Sequence, residues 1–412
     1  MRIAVVGSGI SGLVAATRLA RTNEVTIFEK DARAGGHTNT VTVEIDGTAH
    51  AVDTGFIVHN AVTYPGFCSL LDDLGIPVRE TSMSFSVMDD TTGIEWRGSS
   101  LATVFAQRRY CVNPEFLRML WDLLRFNRCA HGLLGATTST SMTLREFCTH
   151  HHLSDAFTRL YLIPLMSAIW SADPVSVLDA PARYLLAFLA NHGLLQLRAP
   201  FAWRTIPGGA HQYVDALITR FPGKVELATP VKSVVRLKDG VRIVTAAGSD
   251  RFDHVVLACH SNEALDLLER PSLQEEEVLG ALRYQENNAV LHTDASLLPK
   301  SPKVRASWNA RTGTQGRAHV TYSCNRLQGL HATREICITL NAEDQIAPHT
   351  ILGRFTYAHP IINEASVAAQ ARWDEINGVL RTWYCGAYWG YGFHEDGFQS
   401  ACRVAEALGG AG

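Results

Sequence analysis

Met1-Arg2-Ile3-Ala4-Val5-Val6-Gly7-Ser8-Gly9-Ile10-Ser11-Gly12 opens the chain, and its reading decides the fold. The run over 3–6 is short, apolar and β-branched, the composition of a buried parallel strand. Glycines follow at the G-x-G-x-x-G spacing, and residues 13–21 carry a helical pattern. Each glycine has its own task. Gly7 permits a tight turn out of the strand, Gly9 lets backbone approach a pyrophosphate, and Gly12 allows helix to pack closely on strand. The unpaired N–H groups at the helix start then face the phosphates. Spacing alone is shared by many glycine-rich turns. The context comes from a second strand over 25–29, ending in Glu29 at about the expected 20-residue separation, where an acid accepts hydrogen bonds from a ribose. The stretch predicts a dinucleotide site.

At 412 residues the chain is long enough for two domains and a sizeable core. Its hydrophobic share of 46% and charged share of 19% are those of an ordinary globular protein. A net charge of −3 gives no electrostatic case for a nucleic-acid partner. Nine cysteines without a C-x-x-C pair argue against a disulfide framework and for a reducing compartment. His150-His151-His152 has no second ligand group at metal spacing, so an exposed turn is favoured and no metal is expected. The N-terminus is strand and phosphate loop instead of signal peptide, and apolar runs such as 160–169 are too short to span a bilayer. The expectation is a cytoplasmic protein that can also lie peripherally at the inner membrane face.

After Glu29 and Lys30, the pair Gly35-Gly36 before His37 would let main chain pass beside a large planar ligand. Residues 41–49 alternate around Asp46-Gly47, a β-hairpin signal. Asp53-Thr54-Gly55-Phe56-Ile57-Val58 reads equally as an approach to a helix near Tyr64 or as strand and turn. Strands are expected over 81–96, with Met83, Phe85 and Val87 on one face. The stretch 113–198 is helical and rich in large apolar side chains, including Phe116, Leu117, Leu120, Trp121, Leu124, Phe126, Leu160, Leu162, Ile163, Leu165, Trp170 and those over 185–189. These form a core of their own or line an apolar substrate tunnel, with the core favoured. A turn over 203–209 precedes a helix over 211–220. Strands over 225–227 and 231–237 follow, and those over 241–245 and 254–258 are expected to complete the parallel sheet. Further strands fall over 320–322 and 336–340. The pattern is a nucleotide domain, 1–80, 204–262 and 372–412, interrupted twice by a substrate domain, 81–203 and 263–371, with a helical subdomain over about 113–198.

Residues 380–387 read as a strand stopping at Gly386 and Ala387, followed by an aromatic, glycine-punctuated loop over 388–393. His394-Glu395-Asp396-Gly397 then starts a helix with acids at its N-terminus, where the dipole favours them. This is either an ordinary terminal helix or one whose first N–H groups point at the pyrimidine end of a flavin, stabilising its reduced, negatively charged form.

Together these segments resemble the amine-oxidase/phytoene-desaturase superfamily of FAD enzymes, most closely a bacterial group of predicted NAD/FAD-binding proteins similar to the N-terminal domain of plant cyclopropane fatty acid synthases. The likeness is carried by the opening glycine loop with Leu13, by Gly35-Gly36-His37, and by 52–58. It continues through Ala168-Ile169-Trp170-Ser171, Asn191-His192-Gly193-Leu194-Leu195, Leu291-His292-Thr293-Asp294 and Thr339-Leu340-Asn341. The most specific match is 386–397, Gly-Ala-Tyr-Trp-Gly-Tyr-Gly-Phe-His-Glu-Asp-Gly. Departures fall at Ser323 and Cys324, where larger residues are usual, at Ala342, where proline is, and at His59, where an aromatic is common.

The resemblance implies an α/β fold, with a Rossmann-like, amine-oxidase-like FAD-binding domain interrupted by a mixed-sheet and helical substrate domain. FAD would be held by Gly7, Ser8, Gly9, Ile10, Ser11, Gly12, Glu29, Lys30, Gly35, Gly36, His37, Thr54, Gly55, Val231, Gly386, Glu395 and Asp396. The implied activity is desaturation of a methyl- or methylene-branched phospholipid acyl chain by hydride transfer to the flavin, in furan fatty acid synthesis. A cyclopropane-synthase-like methyltransferase would be the partner that makes the branched chain. His394 is the candidate proton acceptor, because histidine titrates near neutrality and it precedes the flavin-facing helix. Against this stands a role in orienting the Tyr391 loop. The rivals are an amine or polyene oxidase, with Trp383, Tyr384, Tyr388, Trp389 and Tyr391 supplying an aromatic cage, and a non-catalytic flavin-binding partner of a lipid methyltransferase. Glu29 would accept the ribose of NAD or FAD, and there is no second G-x-G-x-x-G to seat a nicotinamide cofactor as a partner; Gly35-Gly36 and the segment 386–397 tip the balance to FAD.

Overall fold

Arg2–Val6 is the central strand of a five-stranded parallel sheet, ordered Lys224–Glu226, Glu24–Phe28, Arg2–Val6, His254–Leu257, Thr382–Tyr384. In this computed structural model residues 1–136, 142–170, 177–196, 201–313 and 318–409 are described. Four of the five residues of the central strand are buried, as a strand covered on both faces requires. One face, with Ile3 and Val5, packs under the helices Ile10–Leu19, Pro65–Leu74, His211–Arg220 and His394–Ala407 through Leu13, Phe67, Tyr213 and Phe398. The other, with Ala4, Val6, Val255 and Leu257, packs on Val234, Val241 and Ile243.

Those last three residues belong to an antiparallel sheet of Ser233–Leu237, Gly240–Val244 and Ser249–Phe252. The segment expected over 241–245 therefore lies outside the parallel sheet. Its alternation, Val241 and Ile243 inward and Arg242 exposed, is that of a layer covered on one side only.

A second, mixed sheet runs in the order Ile351–Pro360, Tyr284–His292, Cys337–Leu340, Ala318–Ser323, Trp308–Thr312, Phe85–Asp89, Ile94–Arg97. Trp308–Thr312 and Phe85–Asp89 pair in parallel, and the other neighbours are antiparallel. Ser86 is as buried as Val87, so the inward face expected for Met83, Phe85 and Val87 is not the sole covered one, and Met83 precedes the strand. The hairpin Thr40–Ile45 and Thr48–Asp53 turns at Asp46 and Gly47, with φ of 48° and 79°.

The helical stretch holds Pro114–Gly135, Leu144–His150, Ile163–Trp170 and Ala182–Asn191. Asn113 and Thr143 start the first two by accepting from the N–H groups of Phe116 and Glu146. Phe116, Phe126, Leu160, Leu162, Leu165, Trp170, Leu185, Leu186, Phe188 and Leu189 form one buried cluster. Leu117, Trp121 and Leu124 do not join it: they are 41%, 60% and 46% exposed. Ser171 and Arg198 lie outside the described residues.

Two smaller differences have local causes. Trp203–Thr205, expected as turn, is a strand between His59–Asn60 and Arg79–Thr81. The strand expected over 380–387 shortens to Thr382–Tyr384, because Leu380 and Arg381 take φ of 48° and 61°. Among the described residues no helix is long and apolar enough to cross a membrane.

A Cβ at Gly12 would stand 1.9 Å from the carbonyl oxygen of Gly7, a backbone atom that cannot rotate away. Gly12→Ala should therefore destabilise the fold by about 3 kcal/mol, seen as a lowered midpoint in denaturant titration of the apoprotein. An unchanged midpoint would contradict this packing.

Candidate active site

Gly7 leaves the central strand at φ +102°, its N–H donating to the Phe28 carbonyl at 2.8 Å. A side chain there would meet the Ala258 carbonyl oxygen at 2.9 Å, whereas Gly9 faces open space where its Cβ would be. The helix Ile10–Leu19 has no side-chain cap and no acid in its first turn, so the N–H groups around Ile10 and Ser11 are left for a bound anion. Glu29, buried at the end of Glu24–Phe28, accepts from the Ser8 N–H at 2.9 Å, the Ser8 hydroxyl at 2.5 Å and the Asp31 N–H at 2.9 Å. Ser8 thereby ties the acid to the glycine loop.

Gly35 and Gly36 lie directly on that loop. Gly35 donates to the Ser8 carbonyl at 3.0 Å, and a Cβ on Gly36 would come within 3.2 Å of the Gly9 Cα. With φ of +111° and +55°, both positions favour glycine. Gly55 then lies under His37: a Cβ there would stand 2.2 Å from the His37 carbonyl oxygen, which also accepts from the Phe56 N–H at 3.0 Å. The Thr54 hydroxyl meets the Tyr357 hydroxyl at 2.6 Å, and Asn39 donates to the same oxygen at 3.0 Å.

Around His37 the fold gathers rings that sequence reasoning does not single out. Its imidazole lies 5.1 Å from Tyr357, 5.5 Å from His359 and 5.8 Å from His260, and His260 stacks on Tyr284 at 4.2 Å. Burial, reinforced by the neighbouring imidazoles, holds His37 well below the usual histidine range, and burial brings His359 to about 4. This wall is therefore uncharged near neutrality. The available signal was the period-two run Phe355, Tyr357, His359, which puts three rings on one strand face.

The C-terminal helix reaches the same place from the other end of the chain. A Cβ on Gly397 would be 2.8 Å from the Ser11 hydroxyl and 2.9 Å from Ile10 Cγ2, so the first turns of the two helices touch. Just before it, Gly386 donates to the Ser400 hydroxyl at 3.0 Å and leaves no room for a side chain beside the Tyr388 ring.

His394, the expected proton acceptor, is held among protein partners. Its ring stacks on Phe56 at 3.7 Å, and its Nε2 shares hydrogen bonds with the Tyr213 hydroxyl at 2.8 Å and the Thr38 hydroxyl at 3.3 Å. Burial pushes its pKa down to about 3, so the ring is neutral and weakly basic near neutrality. Glu395 is committed elsewhere too: its two oxygens accept from the Gly66 and Phe67 N–H groups at 2.9 Å each, capping Pro65–Leu74. Asp396 accepts from the Phe393 N–H at 2.8 Å and closes its own helix. Lys30 pairs with Glu263 at 2.6 Å, and Val231 packs against the core beneath the parallel sheet. His59 is buried edge-on to Phe67, and neither ring nitrogen has a protein partner.

The loop over 388–393 is clamped to the helical unit. Trp170 Nε1 donates to the Tyr391 carbonyl at 3.2 Å, and the Tyr184 hydroxyl donates to the Gly390 carbonyl at 2.8 Å. Phe188 stacks on Phe393 at 4.9 Å and on His192 at 3.9 Å, and Tyr184 meets Tyr391 at 4.7 Å. The five rings proposed as a cage do not form one: Tyr384, Tyr388 and Trp389 pack into the core beneath the parallel sheet, with Tyr384 donating to Glu275 at 2.5 Å, Trp383 lies on the sheet's other face, and Tyr391 packs on the helical unit.

The residues present fit FAD. An uncapped helix start, a glycine cradle with open space at Gly9, and the acid at Glu29 suit its pyrophosphate and ribose. The main chain at Gly35, Gly36 and Gly55 packs on Thr38, Gly9 and His37, where a Cβ would collide, and so holds the cradle in shape.

Two predictions follow from this geometry. Gly9→Ala should leave apoprotein stability within about 0.5 kcal/mol while lowering flavin retained on gel filtration by about tenfold, because its Cβ would occupy the cradle and clash with no protein atom; full flavin retention would contradict that role for Gly9. His394 stays neutral in the folded chain down to about pH 3, whereas the unfolded ring titrates near 6.5. Unfolding takes up a proton between those values, so this group's contribution is fully present above pH 6.5 and lost as pH falls through the window. His394→Phe should reduce the slope of stability against pH, between pH 4 and 6, by about one proton. An unchanged slope would show that the ring is not buried neutral.

The profile of the "Flavin containing amine oxidoreductase" family matches residues 10–322. Among solved structures, cyclohexylamine oxidase from Brevibacterium oxydans superimposes with a TM-score of 0.72 at 16% identity, covering 99% of each chain. A fatty acid isomerase from P. acnes that produces CLA gives 0.70 at 14% identity, covering 99% of this chain and 98% of its own. Putrescine oxidase bound to putrescine gives 0.71 at 16%, again over 99% of each chain. At these identities the structures speak for the fold, while the family match spans most of the sequence. The chain belongs to the flavin-containing amine oxidoreductase family and is an FAD-dependent oxidoreductase.

Proposed function

We propose that this enzyme desaturates a methyl- or methylene-branched fatty acyl chain of a phospholipid, in furan fatty acid synthesis, on chains made by a cyclopropane-synthase-like methyltransferase. An acyl C–H is far too weakly acidic for a side chain to deprotonate unaided, and FAD, when bound, supplies hydride-accepting chemistry. The chain's own tasks are to hold the substrate and keep water out. The observation that carries this reading is the apolar junction between helical unit and C-terminal loop, built from Trp170, Phe188, His192, Tyr391 and Phe393. His192 is held at about 4 by burial, so its ring adds no charge there near neutrality. The two acids of the adjoining helix, Glu395 and Asp396, are turned to backbone N–H groups and away from any role as counter-ion to an ammonium. A fold shared with a fatty acid isomerase agrees with an acyl substrate.

Amine oxidation is the second reading, supported by the shared fold with two amine oxidases. Lipid analysis of cells co-expressing the protein with a cyclopropane-synthase-like methyltransferase separates the two. The acyl reading predicts loss of branched chains and appearance of more unsaturated products only when both proteins are present. Identical acyl profiles, with hydrogen peroxide released from simple amines by the purified protein, would replace it with the amine reading.

A further inference from the structure

The helix Pro114–Gly135 buries one face through Phe116, Met119, Phe126 and Ala130 and turns another fully outward. Leu117, Trp121, Leu124 and Arg128 fall at i, i+4, i+7 and i+11, a single stripe along an α-helix. All four are exposed. Val112, just before the helix, is 80% exposed. Such a stripe on water is costly at about 25 cal/mol per Å² of apolar area, and the helix needs none of it for its own packing.

The charge on this segment is one-sided. Residues 101–135 carry five arginines and two acids, in a chain whose net charge is −3. Both acids are engaged: buried Asp122 accepts from Arg118 at 2.9 Å and Arg125 at 3.0 Å, and Glu115 pairs with Arg159. Neither lies on the stripe. Exposed Arg108, Arg109 and Arg128 remain, with His131 beside the stripe. Leucine and tryptophan flanked by arginine, with both carboxylates ion-paired, is the surface chemistry that enters the boundary between headgroups and acyl chains of an anionic bilayer.

The helix is also wired to the site. Arg183, in Ala182–Asn191, donates to the carbonyls of Leu133 at 2.8 Å, Leu134 at 3.2 Å and Ala136 at 3.1 Å, closing the end of the striped helix. Its neighbour Tyr184 holds the loop at Gly390. One helix therefore separates the stripe from the apolar junction.

We propose that the outward face of Pro114–Gly135 docks this enzyme on a lipid surface bearing anionic headgroups, placing the helical unit against the bilayer. The inference stands apart from the choice of acyl or amine substrate, and its test uses lipids that are not substrates. Holoenzyme is sedimented with vesicles of straight-chain saturated phosphatidylcholine, with or without phosphatidylglycerol, beside Trp121→Asp and Leu124→Asp. Both positions are exposed, so flavin content and thermal midpoint should match the parent. Binding to phosphatidylglycerol vesicles should weaken about tenfold or more in either variant, and should fall with added salt and with omission of the anionic lipid. Equal partitioning of parent and variants would overturn the proposal. So would a concentration-dependent dimer, lost in the variants and without vesicle binding, which would make the face an interface between copies of this chain.

Discussion

The contact between Gly12 and the carbonyl of Gly7 is the constraint on which this structure depends. With 1.9 Å between that oxygen and any Cβ at position 12, only glycine lets the first helix start so close to the first strand. That closeness aims the uncapped helix start over the end of the central strand, and the surrounding parts pack against it. Gly36 comes within contact of Gly9, Gly397 of Ser11, and Glu29 is drawn in through Ser8. Two nearby segments and one from the C-terminal helix thus converge on one loop. The parallel sheet, covered by helices on one side and an antiparallel sheet on the other, holds them there.

The polar groups of the site mostly hold one another. Glu395 caps a neighbouring helix, Asp396 caps its own, and His394 is stacked on Phe56 and bonded to Tyr213. Buried partners of this kind cost desolvation unless fully matched, and once matched they stiffen the walls around a cofactor. The chain therefore contributes shape and a low dielectric more than a poised acid or base, which suits chemistry carried by a flavin.

Much of this was legible in the sequence for a physical reason. Glycine loops, hairpin turns and helix starts are local, and their residue types follow from backbone geometry. The loop at 7–12, the hairpin at Asp46-Gly47 and the helix over 211–220 all lie where their residues placed them. What escaped depends on tertiary packing. The strand over 241–245 alternates correctly but joins a different sheet. Nothing local tells Trp121 and Leu124, which are exposed, from Phe116 and Phe126, which are buried. The rings of Tyr357, His359 and His260 meet His37, and Tyr284 backs His260. They do so only because two distant strands pair beside the start of the helix that follows the parallel strand His254–Leu257. His394 looked like a base because its residue type titrates near neutrality, whereas burial, with His59 nearby, lowers its pKa to about 3.

The uncharged rings around His37 and the apolar junction at Phe188 and Phe393 are the features on which the proposed acyl substrate rests. The most direct measurement is the visible absorbance of the purified holoenzyme, mixed without oxygen with vesicles of methylene-branched phospholipid. The flavin band should bleach with the branched lipid and persist with its saturated straight-chain counterpart. Bleaching by simple amines with no response to the branched lipid would contradict the account.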